Sequence, residues 1–412
     1  MSSKRGLHYS WVIVATGVFV LFATIALGRF SYTAILPGMK AGLALGYDQM
    51  GLIGTANFVG YLIAVWAFPS VIHRLEARCT IALGLLLVGG SLVGMSFCGG
   101  FPSAVVVYVP AGMGTAFGQI GMMTVIQRWY RSEQRGKASG LVTCGNGLGI
   151  VFVGAVIPWF NQVNGSDGWR HAWLVFGLVA LAVMLLAAAF LRSSPADVGL
   201  EPIGKAGDGA PLAAQVQGFD KDLLLRFGAV YLIFGATHMI YGTFIVSSMV
   251  SDHGLSVQTA GFYWSSVGIL SLVSGIGFGA LSDVIGRRYG LAVIFVVHSL
   301  AYFLAGIEAG SVALIGSIVL FGISMFAVPA VMAAAIGDYF GVVGAARAFS
   351  LISLFYGAGQ TLGPAIAGVI AGSRGSFSST YLLSSMLTLV AAVYSAKLPP
   401  PPVSGRGVAA RR

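Results

Sequence analysis

The chain has 412 residues, of which 57% are hydrophobic and only 9% charged, and its formal net charge is +10. An ordinary globular domain is about 25% charged, so charges this sparse cannot cover a soluble surface and lipid must bathe most of the chain. Backbone groups in lipid need internal partners, which leaves helix bundles or closed barrels; apolar runs of about 20 residues select helices, since barrel strands alternate over about 10.

Twelve membrane spans are read in chain order, at about 11–36, 50–72, 79–98, 104–126, 138–160, 170–191, 223–249, 258–281, 289–307, 311–333, 348–372 and 380–396. The first is too long for a cleaved signal peptide, and Arg29-Phe-Ser-Tyr32 stands where small residues would mark a cleavage site. The 59 glycines suit close helix packing. With the amino terminus placed in the cytoplasm, 19 of the 23 Lys and Arg fall on that side; Lys40, Arg170 and Arg374 fall outside and Arg29 lies within the first span. This bias predicts both termini inside. The net charge is thus topological and calls for no nucleic acid. Cys79, Cys98 and Cys144 lack paired spacing and read as small residues in or beside the spans.

A polar segment at 192–222, rich in Gly, Pro and charge, divides the spans six and six. The expected organisation is a bundle at 1–191, a cytoplasmic loop at 192–222, a bundle at 223–398 and a disordered tail at 399–412. The halves repeat weakly. Gly145, Gly149 and Gly154 match Gly359, Gly363 and Gly368 at a separation of 214; the turn Gly279–Arg288 matches the segment around Ile72 at 213; Leu45 and Gly51 match Leu255 and Gly261 at 210. Two repeated halves place a transporter's site between them, near the midplane.

The turn Gly279-Ala-Leu-Ser-Asp283-Val-Ile-Gly286-Arg287-Arg288 fully matches the Gly-x-x-x-Asp-x-x-Gly-Arg-Arg/Lys signature of the major facilitator superfamily, which the chain resembles over its whole length. In the first-half copy, Ser70 replaces the acid and His73 the second glycine, while Arg74 survives. Arg128-Trp-Tyr with Arg135-Gly-x-Ala138 resembles that family's loop after helix 4, and Gly168-Trp-Arg170 its entry to helix 6. Gly28-Arg29-Phe30-x-Tyr32 with Leu36-Pro37 is similar to the bacterial YbfB/YjiJ-like branch. The resemblance implies an all-α membrane protein of twelve transmembrane helices in two pseudo-symmetric six-helix bundles, in the bacterial inner membrane. It also implies that Gly279, Asp283, Gly286, Arg287, Arg288, Arg74 and Arg135 form a cytoplasmic gate. On the residues alone, the same charges serve as loop caps: Asp283 near exposed amides and beside two arginines is electrostatically favoured.

Loop ends excluded, the spans contain one Arg, two His and no carboxylate. A charged Arg near mid-membrane costs at least ~2.5–3.5 kcal/mol. Arg29 either orients the first helix or faces a cavity as the cation for an anionic substrate, whose carboxylate a guanidinium engages bidentately. At the 210-residue separation Arg29 corresponds to Met239, so His238 holds nearly the same place, and Tyr32 and Tyr241 each follow by about a turn. Both pairs are expected to converge on one cavity. His238 is the leading proton carrier, since imidazole ordinarily titrates near neutrality; Asp252 is a second, at a helix end. His298 reads as a packing residue. Further candidate lining residues are Asn57, Tyr61, Gln119, Asn146, Trp264, Tyr356 and Gln360; each also has a plain role in helix packing or interface anchoring.

No phosphate-binding Gly-Lys-Ser/Thr turn and no metal-spaced cluster is found, so no cofactor is expected and the chain does not read as an enzyme. The expected function is secondary, alternating-access transport of a small organic anion, a monocarboxylate or aromatic acid, by a monomer. Two alternatives stay open: efflux of neutral or cationic amphiphiles or sugars, and a non-transporting sensor or scaffold of the same fold.

Overall fold

The computed structural model describes residues 8–204 and 221–400, without the side chains of 132, 133, 341–344 and 346. Residues 205–220 of the expected loop and 401–412 of the expected tail lie outside the described residues. The described chain is almost entirely helical. Ten helices are long and apolar enough to cross a membrane: α1 Ser10–Leu43, α2 Tyr47–Ser96, α3 Phe101–Trp129, α4 Gln134–Phe190, α5 Lys221–Ser251, α6 Val257–Ile285, α7 Arg287–Gly306, α8 Ser311–Phe340, α9 Arg347–Arg374 and α10 Ser378–Ala396.

Two of these are far too long for one crossing. The 50 residues of α2 would extend about 75 Å as a straight helix, against a hydrocarbon layer of about 30 Å. The helix breaks at Glu76, whose φ of 59° and ψ of 172° are not helical. The 57-residue α4 breaks at a 3₁₀ turn, Gly165–Asp167. Counting each side of these breaks as a separate crossing agrees with the twelve spans read from the sequence.

The chain forms two compact units: Met1–Gly209 with Ile240–Ile269 and Pro364–Phe377, and Ala210–Met239 with Leu270–Gly363 and Ser378–Arg412. In the first, α2 and α3 approach through glycine. A Cβ on Gly112 would collide with the main-chain carbonyl of Asn57, and one on Gly60 with that of Val109. This is the small-residue packing that lets membrane helices touch at their backbones. The second unit is built on an apolar core that includes Phe227, Phe234, Phe295, Val331, Met332 and Ile352.

The internal repeat has one constant separation. Left-handed residues recur as Ala44 and Gly254 (φ 49° and 65°), Glu76 and Gly286 (59° and 91°), and Gly165 and Gly375 (57° and 74°), each pair 210 residues apart. The Arg78 guanidinium donates to the carbonyl of Ala188, as Arg288 donates to that of Leu398 at 3.2 Å; donors and acceptors are again 210 apart. Gly149 lies against Phe22 and Ala26 as Gly359 lies against Leu232 and Ala236, and Gly261 meets the main chain of Gly154 as Gly51 meets that of Pro364.

This register corrects the sequence reading twice. The glycine series of the fifth and eleventh spans matches at 210, pairing Gly149 with Gly359, because glycines spaced by four keep their pattern through a slip of one turn. The charged turn also matches at 210, not 213. Glu76 holds the place of Gly286 and Arg78 that of Arg288, while the place of Arg287, which the separation of 213 gave to Arg74, falls on Ala77; Arg74 itself is exposed. Loss of the glycine from the first copy removed the landmark that would have fixed the alignment.

Candidate substrate-binding site

Helix α1 widens where it carries its charge. Residues Phe22–Phe30 form a π-helical stretch, and all but Phe22 and Arg29 are buried. Wider turns disturb the regular hydrogen-bond ladder and are frequent at functional sites. In lipid the carbonyls concerned must find donors, and neighbouring helices supply them. Thr115 of α3 donates to the carbonyl of Thr24 at 2.8 Å. The carbonyl of Gly28 receives Asn57 Nδ2 from α2 and the Tyr108 hydroxyl from α3, each at 3.2 Å. The next residue in the chain is Arg29.

The Arg29 Cζ lies 4.8 Å from the ring centroid of Phe58 and 4.8 Å from that of Tyr61, both on α2. Cation–π contact of this kind, away from water, stabilises a guanidinium by about 2 kcal/mol. A guanidinium can stack its face on a ring while its N–H edge meets a carboxylate, so the two contacts are compatible. Of the residues named from the sequence, Arg29, Asn57 and Tyr61 come together here. Phe58 and Tyr108 complete the group and had not been singled out; an aromatic residue one position from Asn57 was the available signal for Phe58.

The remaining candidates divide. The Tyr32 hydroxyl donates to the carbonyl of Met50 at 2.7 Å, so it fixes the start of α2, while its ring lies 5.4 Å from that of Tyr108. Trp264 is fully buried, 6.3 Å from the ring of Phe30. Asn146 and Tyr241 are buried too, and Gln119 is half-buried. The Asp252 carboxylate accepts from the hydroxyls of Ser248 (2.9 Å) and Ser251 (2.8 Å) and from the amide of Phe377 (3.1 Å), which gives it an anchoring role.

In the second unit His238 sits among rings, with centroids at 4.8 Å for Phe234, 5.3 Å for Phe321 and 6.3 Å for His298. His298 is thus a neighbour of His238, a pairing that the packing role expected for it did not anticipate. Tyr356 stacks on Tyr231 at 4.6 Å, and Gln360 is fully buried. In the charged turn, Arg287 bridges two carboxylates, Asp283 at 2.5 Å and Asp338 at 2.8 Å, and donates to Ser282 at 2.7 Å. Ser282 in turn donates to the carbonyl of Gly279. Asp338 lies 51 residues from Arg287 and had not been named. In the first unit Arg135 donates to the carbonyl of Tyr130 at 2.8 Å.

A family model described as "Uncharacterised MFS-type transporter YbfB" matches residues 21–396. The chain belongs to this YbfB family. It is therefore a multi-pass membrane transporter of the major facilitator type and not an enzyme. Among relatives of the YbfB-family chain, the "Hexuronate transporter" of Bacillus subtilis (strain 168) is 23% identical over 389 residues, covering 89% of each chain. The "Oxalate:formate antiporter" of Oxalobacter formigenes is 24% identical over 393 residues, 92% of this chain and 89% of its own. A solved D-xylose-proton symporter superposes with a TM-score of 0.71 at 16% identity, over 95% of this chain and 98% of that one. At that identity the likeness speaks for the fold.

Proposed function

We propose that this secondary transporter carries a small organic anion, a monocarboxylate or aromatic acid, and that Arg29 binds its carboxylate. The observation that carries the reading is the setting of Arg29. A permanent cation stands within an apolar helix, at a π-helical stretch tied down by side chains from α2 and α3, with its charge against the faces of Phe58 and Tyr61. A structural Arg near a helix end ordinarily snorkels to the headgroups, and a cation held deeper marks a substrate path. The names of two full-length relatives, a hexuronate transporter and an oxalate:formate antiporter, support an anionic cargo. His238, in its ring of aromatic neighbours, is the proposed proton carrier, and the charged turn around Arg287 the proposed cytoplasmic gate.

Counterflow of radiolabelled carboxylates in proteoliposomes tests the assignment. Arg29→Gln is expected to abolish carboxylate counterflow, and Arg29→Lys to cut it about tenfold or more, because an ammonium cannot make the two-pronged contact. Uptake unchanged in Arg29→Gln, with the protein folded, rejects Arg29 as the substrate's partner. His238→Phe is expected to flatten the pH dependence of uptake; an unaltered profile removes His238 from proton transfer.

A further inference from the structure

Bonded to the carbonyl just before Arg29 is an amide whose oxygen has no donor among the described residues. Asn57 is 1% exposed and sits one helical turn before Tyr61, whose ring flanks the guanidinium. The orientation of its amide follows from chemistry. Nδ2 donates to the carbonyl of Gly28 at 3.2 Å, and a carbonyl accepts hydrogen bonds only from the nitrogen end of the amide. Turning the amide round would set oxygen against oxygen. Asn57 Oδ1 is therefore the atom left over, and among the described residues it makes no hydrogen bond. Buried polar atoms almost always have partners, so an exception within a binding site calls for one from outside the protein.

The two neighbours ask for opposite things. Arg29 offers only donors and Asn57 Oδ1 only an acceptor. An ionised carboxylate satisfies the first and cannot satisfy the second, since it has no proton to donate. We infer that the substrate is a hydroxycarboxylate, whose carboxylate lies on Arg29 and whose hydroxyl donates to Asn57 Oδ1. The inference rests on the carboxylate reading of Arg29 and narrows it. A site built to bond a hydroxyl discriminates strongly against the analogue that lacks it, because the protein group is then left unsatisfied.

Matched pairs decide the matter: lactate against propionate, mandelate against phenylacetate and gluconate against hexanoate, each titrated by thermal shift on the purified full-length protein. The wild type is expected to bind the hydroxylated member of at least one pair about tenfold or more tightly. Asn57→Ala is expected to bring that member to the level of its partner, and Arg29→Gln to lose it altogether. Equal binding of both members in every pair, still lost in Arg29→Gln, overturns the hydroxyl assignment and leaves the carboxylate reading standing. Binding that survives Arg29→Gln overturns the carboxylate reading and the inference with it. The wild-type comparison needs no variant, so poor folding of Asn57→Ala does not shelter the proposal.

Discussion

At the scale of single residues, the site depends on a hydrogen atom. Gly112 on α3 meets the main chain of Asn57 so closely that any side chain there must push α2 away. Asn57 holds the carbonyl of Gly28, and Phe58 and Tyr61 flank Arg29, so the displacement reaches the guanidinium. Gly112→Ala is expected to cost about 1–3 kcal/mol in stability as an overpacked contact and to weaken carboxylate binding as well. Gly90 has nothing among the described residues within 4 Å of its added Cβ, so Gly90→Ala is the control, neutral or slightly stabilising in a helix. Thermal midpoints and ligand titration measure both, and equal behaviour of the two variants refutes the coupling. The sequence displayed Arg29 plainly, because one charge in an apolar run stands out by composition alone. It did not display Phe58 or Tyr108. Among 26 Phe and 15 Tyr, nothing in spacing says which ring meets the one cation; that depends on how α2 and α3 pack. His298 was obscured in the same way, since its relation to His238 is a contact between separate helices.

At the scale of elements, the charged turns show what a loop needs in order to reverse the chain tightly. Gly286 adopts a φ of 91° and Glu76 one of 59°, and left-handed backbone costs a residue with a side chain roughly 1–2 kcal/mol. Among the described residues no atom lies within 4 Å of a Cβ placed on Gly286, so Gly286→Ala isolates backbone strain from crowding. It is expected to destabilise by about 1 kcal/mol. Glu76→Gly relieves the same strain but frees the unfolded chain, terms that nearly cancel, so a change of no more than about 0.5 kcal/mol is expected. Differential scanning in detergent separates the two, and a Gly286→Ala midpoint equal to wild type removes the strain argument. Helices and their order were legible because about 20 apolar residues have few other uses. The register of the repeat was not. Its first copy had lost the marker glycine, and the equivalent arginines, Arg78 and Arg288, are recognised by what they hold, the carbonyls of Ala188 and Leu398. Likewise the bridge from Arg287 to Asp338 joins residues that no local motif connects.

At the scale of the whole molecule, the distribution of charge makes a claim about sidedness that native cysteines can test. With 19 of 23 Lys and Arg assigned to one side, the positive-inside rule puts that side in the cytoplasm. Cys79 follows the break at Glu76 and is exposed, so it is expected at the inner surface. Cys98 lies between α2 and α3, at the opposite end of the same crossing, and is buried. Burial raises its thiol pKa, against smaller lowering by Ser103 and Arg170, so it holds less of the thiolate that reacts. Cys144, on α4, is partly exposed as well, so the test is made on a Cys144→Ser variant; a charged, membrane-impermeant maleimide is expected to leave it unlabelled in intact cells, where neither remaining thiol is both accessible and reactive. In everted vesicles it should label Cys79 of that variant, and a further Cys79→Ser should abolish the labelling. Modification of Cys79 in intact cells would reverse the orientation, and with it the cytoplasmic placement of the Arg287 cluster and of both termini. Modification of Cys98 there would leave the orientation intact and contradict only the burial of that thiol. The pattern of labelling thus tests the membrane topology without reference to any substrate.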